Sequence, residues 1–271
     1  MKKLVNLALC YDFNGTLAAG NMQEYGFIKN LGISADDFWN MSAALNKKVI
    51  SDNVLRYMRL MLEEAKKRNI QVTQEYLFEC GKMVVLFDGV RDWFKRINEY
   101  ALSRDVVVSH YLISSGLEEI VAGTGIADCF KKVYASAYMY DDNGVAIWPA
   151  RTVNYTEKTQ YLYRIKKGCL DIADNRTVNA RMPEKDCPVP FSRMIYFGDG
   201  DSDVPCMSMI RRSGGHCVVV YEHGKCGAYE QALQYVSDKR ANIAAPADYS
   251  EGGVIDCYIK KVIDEFATEN K

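Results

Sequence analysis

Leu4-Val5-Asn6-Leu7-Ala8-Leu9-Cys10-Tyr11-Asp12-Phe13-Asn14-Gly15-Thr16-Leu17 decides how the rest of the chain is read. Residues 4–11 are a short, nearly continuous apolar run of strand formers, and Asn14-Gly15-Thr16 punctuates it. A run without polar alternation suits a parallel strand covered on both faces. Asp12 then stands just past the end of a buried strand, where a carboxylate can attack phosphorus and form an acyl phosphate. Gly15 lets the chain turn without a Cβ clash, and Thr16 can donate a hydrogen bond to a phosphate oxygen. Taken alone, the segment is equally a strand followed by a polar turn.

Outward from this segment the pattern changes. Phe38, Met41, Ala44 and Leu45 recur at helical spacing, as do Leu55, Met58, Leu62 and Ala65, with Ile50 adding apolar content nearby. Ser34-Ala35-Asp36-Asp37 and Ser51-Asp52 read as helix starts. After Asp88-Gly89, a helix through Trp93, Phe94 and Ile97 leads into a strand over 106–113, closed by a turn at Ser114-Ser115-Gly116. A hairpin follows, with Asp141-Asp142-Asn143-Gly144 as its turn. A helix from near Thr156 carries Lys158. Residues 175–190 are polar and proline-containing and read as a loop or excursion. Residues 194–197 form another buried strand, ending in Gly198-Asp199-Gly200. A helix near Val204, a strand over 216–221 and helices from Ala228 and Gly253 complete the chain. This alternation predicts an α/β fold with a doubly wound parallel sheet. Residues 1–19 and 88–271 are expected to form the core, and 20–87 an inserted all-helical cap.

Composition narrows the function classes. The 271 residues suffice for one α/β domain with a smaller partner. A formal net charge of −1 argues against a nucleic-acid binder, which is usually basic. No apolar run is long enough to span a membrane. The nine cysteines are scattered and never spaced Cys-x-x-Cys, which argues against a disulfide framework and a structural zinc site. Free thiols in a reducing, cytoplasmic setting are the expectation. Met1-Lys2-Lys3 and the apolar run after it faintly imitate a signal peptide, but the run stops at Asp12 and suits a buried strand better.

Three further clusters lie at predicted strand ends or at the start of the next helix. Ser114, Ser115 and Gly116 could present hydroxyls and helix N-terminal amides to a phosphate, although Ser-Ser-Gly before a helix is more often a cap. Lys158 could neutralise a phosphoryl group and an attacking carboxylate; without context it is one solvated lysine among many. Asp199-Gly200-Asp201-Ser202-Asp203 puts three acids into five positions, which is costly unless a cation neutralises them. A calcium EF-hand loop fails here, because Val204 holds the required glycine position and Ile210 the bidentate glutamate position. A Mg²⁺ site shared with Asp12 fits better.

In this order and context the four segments resemble the signatures of the haloacid dehalogenase (HAD) superfamily, over roughly residues 4–213. The helical insert resembles a C1 cap, and the chain looks similar to the phosphoserine-phosphatase-like branch. The resemblance implies Asp12 as nucleophile, Ser114 on the transferring phosphoryl group and Lys158 bridging the two. It also implies Asp199 as a direct Mg²⁺ ligand, the Asn14 backbone carbonyl as another, and Asp203 supporting the metal through water or through Lys158. Asp201 has no matched role.

Asn14 departs from that pattern. HAD phosphatases carry an aspartate here that protonates the leaving alkoxide and then activates water. An amide does not titrate in this range, and such proton transfer is worth ~10²–10⁴-fold. The expectation is therefore a phosphatase of small phosphorylated metabolites with impaired turnover. A non-catalytic binder or sensor of phosphorylated ligands, and a phosphotransferase or mutase, are the alternatives. Dehalogenation is disfavoured, since it does not need the metal implied by the acidic cluster. A helical cap favours small substrates over phosphoproteins. Asn21 and Glu24 are the nearest candidates for an amino-group site. Arg56 and Arg59 could meet a substrate carboxylate, although helix arginines are usually solvated. Tyr25 and Phe27 read as core, and His110, His216 and His223 as structural. Oligomeric state leaves no mark on the sequence.

Overall fold

The computed structural model describes residues 4–47 and 50–268. The apolar run at the start is a strand, β1 (Val5–Tyr11), in which every residue except Asn6 is buried. It occupies the centre of a seven-stranded sheet of order β4-β3-β2-β1-β5-β6-β7. The other strands are β2 (Val106–Leu117), β3 (Lys132–Tyr140), β4 (Ala146–Arg151), β5 (Met194–Gly198), β6 (His216–Tyr221) and β7 (Ile243–Pro246). All pairings are parallel except the β3–β4 hairpin at the edge.

Side chains alternate across β1, so its two faces feed two cores. Leu7, Leu9 and Tyr11 join Trp93 and Ile97 of α4 (Val90–Leu102) and Ile259 of α10 (Val254–Thr268). Ala8 and Cys10 join Tyr161 of α6 (Glu157–Lys167), Cys206 and Ile210 of α8 (Val204–Arg212) and Tyr235 of α9 (Ala228–Ser237). Helices thus cover both faces, as the unalternating sequence requires.

Between β1 and α4 the chain is helical: a π turn at Glu24–Ile28, then α1 (Ala35–Leu45), α2 (Asn53–Lys67) and α3 (Gln74–Lys82). Ser34 caps α1 by accepting the Asp37 N–H, and Asp52 caps α2 by accepting from Val54 and Leu55. The insert is held to the sheet through the hairpin. Ala146 N–H donates to Val72 O at 2.8 Å, and the Tyr138 hydroxyl donates to Met58 O at 2.7 Å. Ile50 is 93% exposed and contributes nothing to the core.

Two sequence expectations are corrected, and one strand is added. The turn at Ser114-Ser115-Gly116 is instead the end of β2, which runs on to Leu117 before α5 (Glu118–Gly123). A bulge absorbs the change: Ser114 pairs with Ala135 and Leu117 with Ser136, leaving Ser115 and Gly116 unpaired between them. The 175–190 excursion contains α7 (Asn175–Asn179), capped by Asp174. The strand β7, four residues long and ending in Pro246, has too little sequence to stand out. All nine cysteines are free, and among the described residues no helix is long and apolar enough to cross a membrane.

Candidate active site

Asp12 follows β1 directly and is anchored by its own amide, which donates to Phe197 O on β5 at 2.9 Å. The chain then folds back on itself: the amides of Thr16, Leu17 and Ala18 all donate to Phe13 O. Gly15 makes that turn possible at φ +72°, and a Cβ there would lie 2.2 Å from Asp199 Oδ2. The turn and the Gly198-Asp199-Gly200 segment therefore touch, bringing together two carboxylates far apart in sequence. A second approach needs Gly198, whose Cβ would lie 2.5 Å from Asp203 Cγ.

Lys158, in the first turn of α6, reaches into this cluster. It is fully buried, with Nζ 3.2 Å from Asp12 Oδ2 and 2.8 Å from Asp203 Oδ1. Asp203 is also fully buried; its Oδ1 accepts the Tyr196 hydroxyl at 2.7 Å and its Oδ2 the Asp199 N–H at 3.2 Å. Both its oxygens are thus used by the protein, which suits a supporting carboxylate. Asp12 Oδ1, by contrast, is buried with no partner.

The electrostatics follow from this crowding. Burial pushes the Asp12 carboxyl up to about 6, Lys158 pulling it back down and Asp203 raising it further. Burial likewise raises Asp199 well above the carboxylate range, with Asp203 and Asp12 adding to it. For Lys158 burial opposes the charge, but Asp12 and Asp203 together outweigh it and the ammonium is held more firmly than usual. One buried cation thus faces three carboxylates, a deficit of positive charge. Asp12, Asp199 and Asp203 each offer an oxygen within 4.8 Å of the others. With an orphaned oxygen on Asp12 and hard oxygen donors throughout, the residues fit a Mg²⁺ ion.

The remaining sequence candidates divide. Asn14, Asp199 and Ser115 line a cavity of about 480 Å³ together with Asp12. Ser115 Oγ is buried without a partner. Ser114 is fully buried, and its Oγ accepts the Gly116 N–H at 3.1 Å, so that amide is already occupied. Thr16 is fully buried with an unpartnered hydroxyl and does not line the cavity. Asn14 Oδ1 accepts the Met22 N–H at 3.0 Å, tying the turn to the helical insert. Asp201 lines the cavity and accepts the Tyr235 hydroxyl at 2.5 Å.

Glu24 does not line the cavity; its Oε1 accepts Trp39 Nε1 and Asn21 Nδ2, both at 2.6 Å. Arg56 lines the cavity, whereas Arg59 is exposed and pairs with Glu63. Tyr25 donates to Ala19 O, and Phe27 is core. His110 is buried between the Tyr11 hydroxyl and Asn98, burial lowering it to about 3; His216 bonds Tyr258, and His223 is exposed. Sequence reasoning missed Gln23, Ser42, Asn53, Tyr57 and Asn154 on the cavity wall. They carry no spacing signal, because the insert and the loop before α6 meet only in the folded chain.

Sequence comparison places the same segments in one family. The family described as "Putative Phosphatase" matches residues 7–220. The chain belongs to that phosphatase family. A Borreliella burgdorferi protein described as uncharacterized is 26% identical over 273 residues, covering 91% of this chain and 92% of its own. Among solved structures, a HAD family hydrolase from Salmonella enterica serovar Typhi superposes with a TM-score of 0.55 at 14% identity. That match covers 90% of this chain and 68% of the other. A phosphoserine phosphatase solved as a phospho-aspartyl intermediate analogue gives 0.50 at 14% identity, over 89% and 93%. Its fold is the one shared by these HAD-family and phosphoserine phosphatase structures.

Proposed function

We propose that the protein is a Mg²⁺-dependent phosphatase of small phosphomonoesters that works through an aspartyl phosphate on Asp12. The observation that carries this reading is the single buried ammonium of Lys158 set between Asp12 and Asp203, beside Asp199. A neighbour of the same fold is described as a phospho-aspartyl intermediate analogue, which supports the chemistry.

Asp12, Asp199 and the Asn14 backbone carbonyl would hold Mg²⁺, with Asp203 acting through Lys158. The ion would supply positive charge to the phosphoryl oxygens. Lys158 holds the Asp12 carboxylate ionised and in position for attack, and shields the phosphoryl group from it. Ser115 lines the cavity, and its Oγ, buried without a partner, is the hydroxyl that would donate to a phosphoryl oxygen, while Ser114 fixes the bulge behind it. Attack forms the bond from Asp12 oxygen to phosphorus as the ester oxygen departs with the bond electrons. Water then returns the phosphoryl group to solution. Asn14 can hold the leaving oxygen by hydrogen bonding but cannot protonate it, so alkyl esters turn over slowly. Residues 20–87 serve as the cap that excludes water and bulky substrates, and a cytoplasmic metabolite is the expected ligand.

Asn14 also favours a second reading, a binder of phosphorylated ligands that does not turn them over. Mg²⁺-dependent phosphate release from a panel of metabolites, run beside calorimetric binding of Mg²⁺, separates the two. Release supports the phosphatase, binding without release supports the binder, and no Mg²⁺ binding overturns both.

A further inference from the structure

The chain crosses between core and insert twice, and the two crossings lie side by side. It leaves through the turn after Asp12 and returns through residues 86–88. Ala18 and Leu86 form an antiparallel bridge, and the Phe87 N–H donates to Leu17 O at 3.0 Å. The Met22 N–H also holds Asn14 Oδ1. These contacts tie the turn to the insert. A residue from the far end of the chain ties it to the core.

Tyr249 stands on the connection between β7 and α10, outside the residues 7–220 matched by the phosphatase family. It is fully buried, and its hydroxyl donates to Thr16 O at 2.9 Å, 233 residues away in sequence. Its own N–H donates to Asp88 O at 2.8 Å. One residue thus holds both crossings, the outgoing one by its side chain and the returning one by its backbone. Its ring packs edge-on against Trp93, with centroids 5.5 Å apart, and tilted against Phe197, whose carbonyl accepts the Asp12 N–H. Behind it, the Arg96 guanidinium donates to Tyr249 O and pairs with buried Asp256 at 3.1 Å. A Cβ at Gly89 would lie 2.3 Å from Ser250 N, so the returning crossing lies directly against this segment. Phenylalanine would fill the same space; a buried phenol is favoured only where its hydroxyl finds a partner.

We infer that Tyr249 is a positioning residue for phosphoryl transfer: its hydroxyl fixes the turn between Asp12 and the insert, and with it the place of Asn14 relative to Asp12 and Asp199. This rests on the phosphatase reading above. Tyr249 does not line the cavity and acts through the Thr16 carbonyl. Thr16 is two residues from Asn14, and Gly15 between them already lies against Asp199, so a shift of the turn reaches both. Misplacing reacting groups by about 1 Å costs on the order of 10²-fold in rate. Removing one hydrogen bond from a turn that keeps its others should cost less.

The test removes the hydroxyl and keeps the ring. Tyr249→Phe is compared with Tyr134→Phe, a fully buried tyrosine of the opposite core whose hydroxyl donates to Leu170 O at 3.0 Å. Both should lower the urea midpoint, since each removes one hydrogen bond. Only Tyr249→Phe should speed amide hydrogen exchange over residues 13–18, by about tenfold. Only Tyr249→Phe should slow the loading of Asp12 by acetyl phosphate in saturating Mg²⁺, by about five- to tenfold, with the half-saturating acetyl phosphate concentration unchanged. Gly89→Ala, which drives a Cβ into the Tyr249–Ser250 peptide, should speed the same exchange. Loading at the parent rate or unmoved exchange in Tyr249→Phe, or equal slowing of loading in Tyr134→Phe, overturns the inference while the phosphatase reading stands. No loading of Asp12 in the parent protein overturns that reading, and the role of Tyr249 with it.

Discussion

Replacing Asn14 by aspartate restores a titratable group where the leaving oxygen departs. The present amide is anchored: Oδ1 accepts the Met22 N–H at 3.0 Å. A carboxylate keeps that acceptor, so one oxygen of the introduced side chain stays on Met22 and the other takes the place of the amide nitrogen. No packing is lost, because the two side chains have nearly the same shape. The gain is then the worth of positioned proton transfer, ~10²–10⁴-fold in kcat/KM for alkyl phosphates. For p-nitrophenyl phosphate, whose leaving group departs without protonation, the first step needs no acid and the gain is confined to hydrolysis of the acyl phosphate. The assay is Mg²⁺-dependent phosphate release from alkyl and aryl esters by Asn14→Asp and parent side by side. An alkyl gain below about tenfold, with Mg²⁺ affinity intact, would refute the reasoning, since it would mean that proton transfer at this position does not limit turnover.

Lys158→Met leaves Asp12 and Asp203 buried without their cation; urea unfolding at pH 7 should show a loss of about 3–5 kcal/mol. The loss should shrink toward pH 5, because protonation of the carboxylates relieves their repulsion, and a pH-independent loss would count against this account. Mg²⁺ binding requires ionised Asp12, whose carboxyl is raised to about 6. Asp199, the other carboxylate that would hold the ion, is raised as well, so calorimetric affinity should fall at least about tenfold per pH unit below that value and keep rising above it, and a flat profile from about pH 5 to 7.5 would contradict the assignment. Gly15→Ala drives a Cβ into Asp199. Its Mg²⁺ affinity should drop by about tenfold or more with the circular dichroism spectrum unchanged, as expected when a ligand is displaced from its support.

What is legible in the sequence follows from range. β1, β5 and β6 declare themselves because each is a continuous apolar run buried on both faces, and Asp12 and Asp199 follow from their ends. The helix starts at Ser34 and Asp52 are local hydrogen-bonding events and are readable as such. The extension of β2 through Gly116 is not, because it depends on pairing with β3 across a bulge. Tyr57 is invisible for the same reason: its hydroxyl meets Ser115 O only when two distant segments fold together. Glu24 shows the converse, a plausible ligand in sequence that stays off the cavity wall and accepts from Trp39, fifteen residues on.

The central claim is that Asp12 accepts the phosphoryl group. With Asn14 in place, an activated ester such as acetyl phosphate should load Asp12 without acid assistance, while hydrolysis lags and the adduct accumulates. Acid quenching, borohydride reduction and peptide mapping by mass spectrometry would then find homoserine at position 12, only when Mg²⁺ was present. Label at another residue, or none at any Mg²⁺ concentration, would contradict the account.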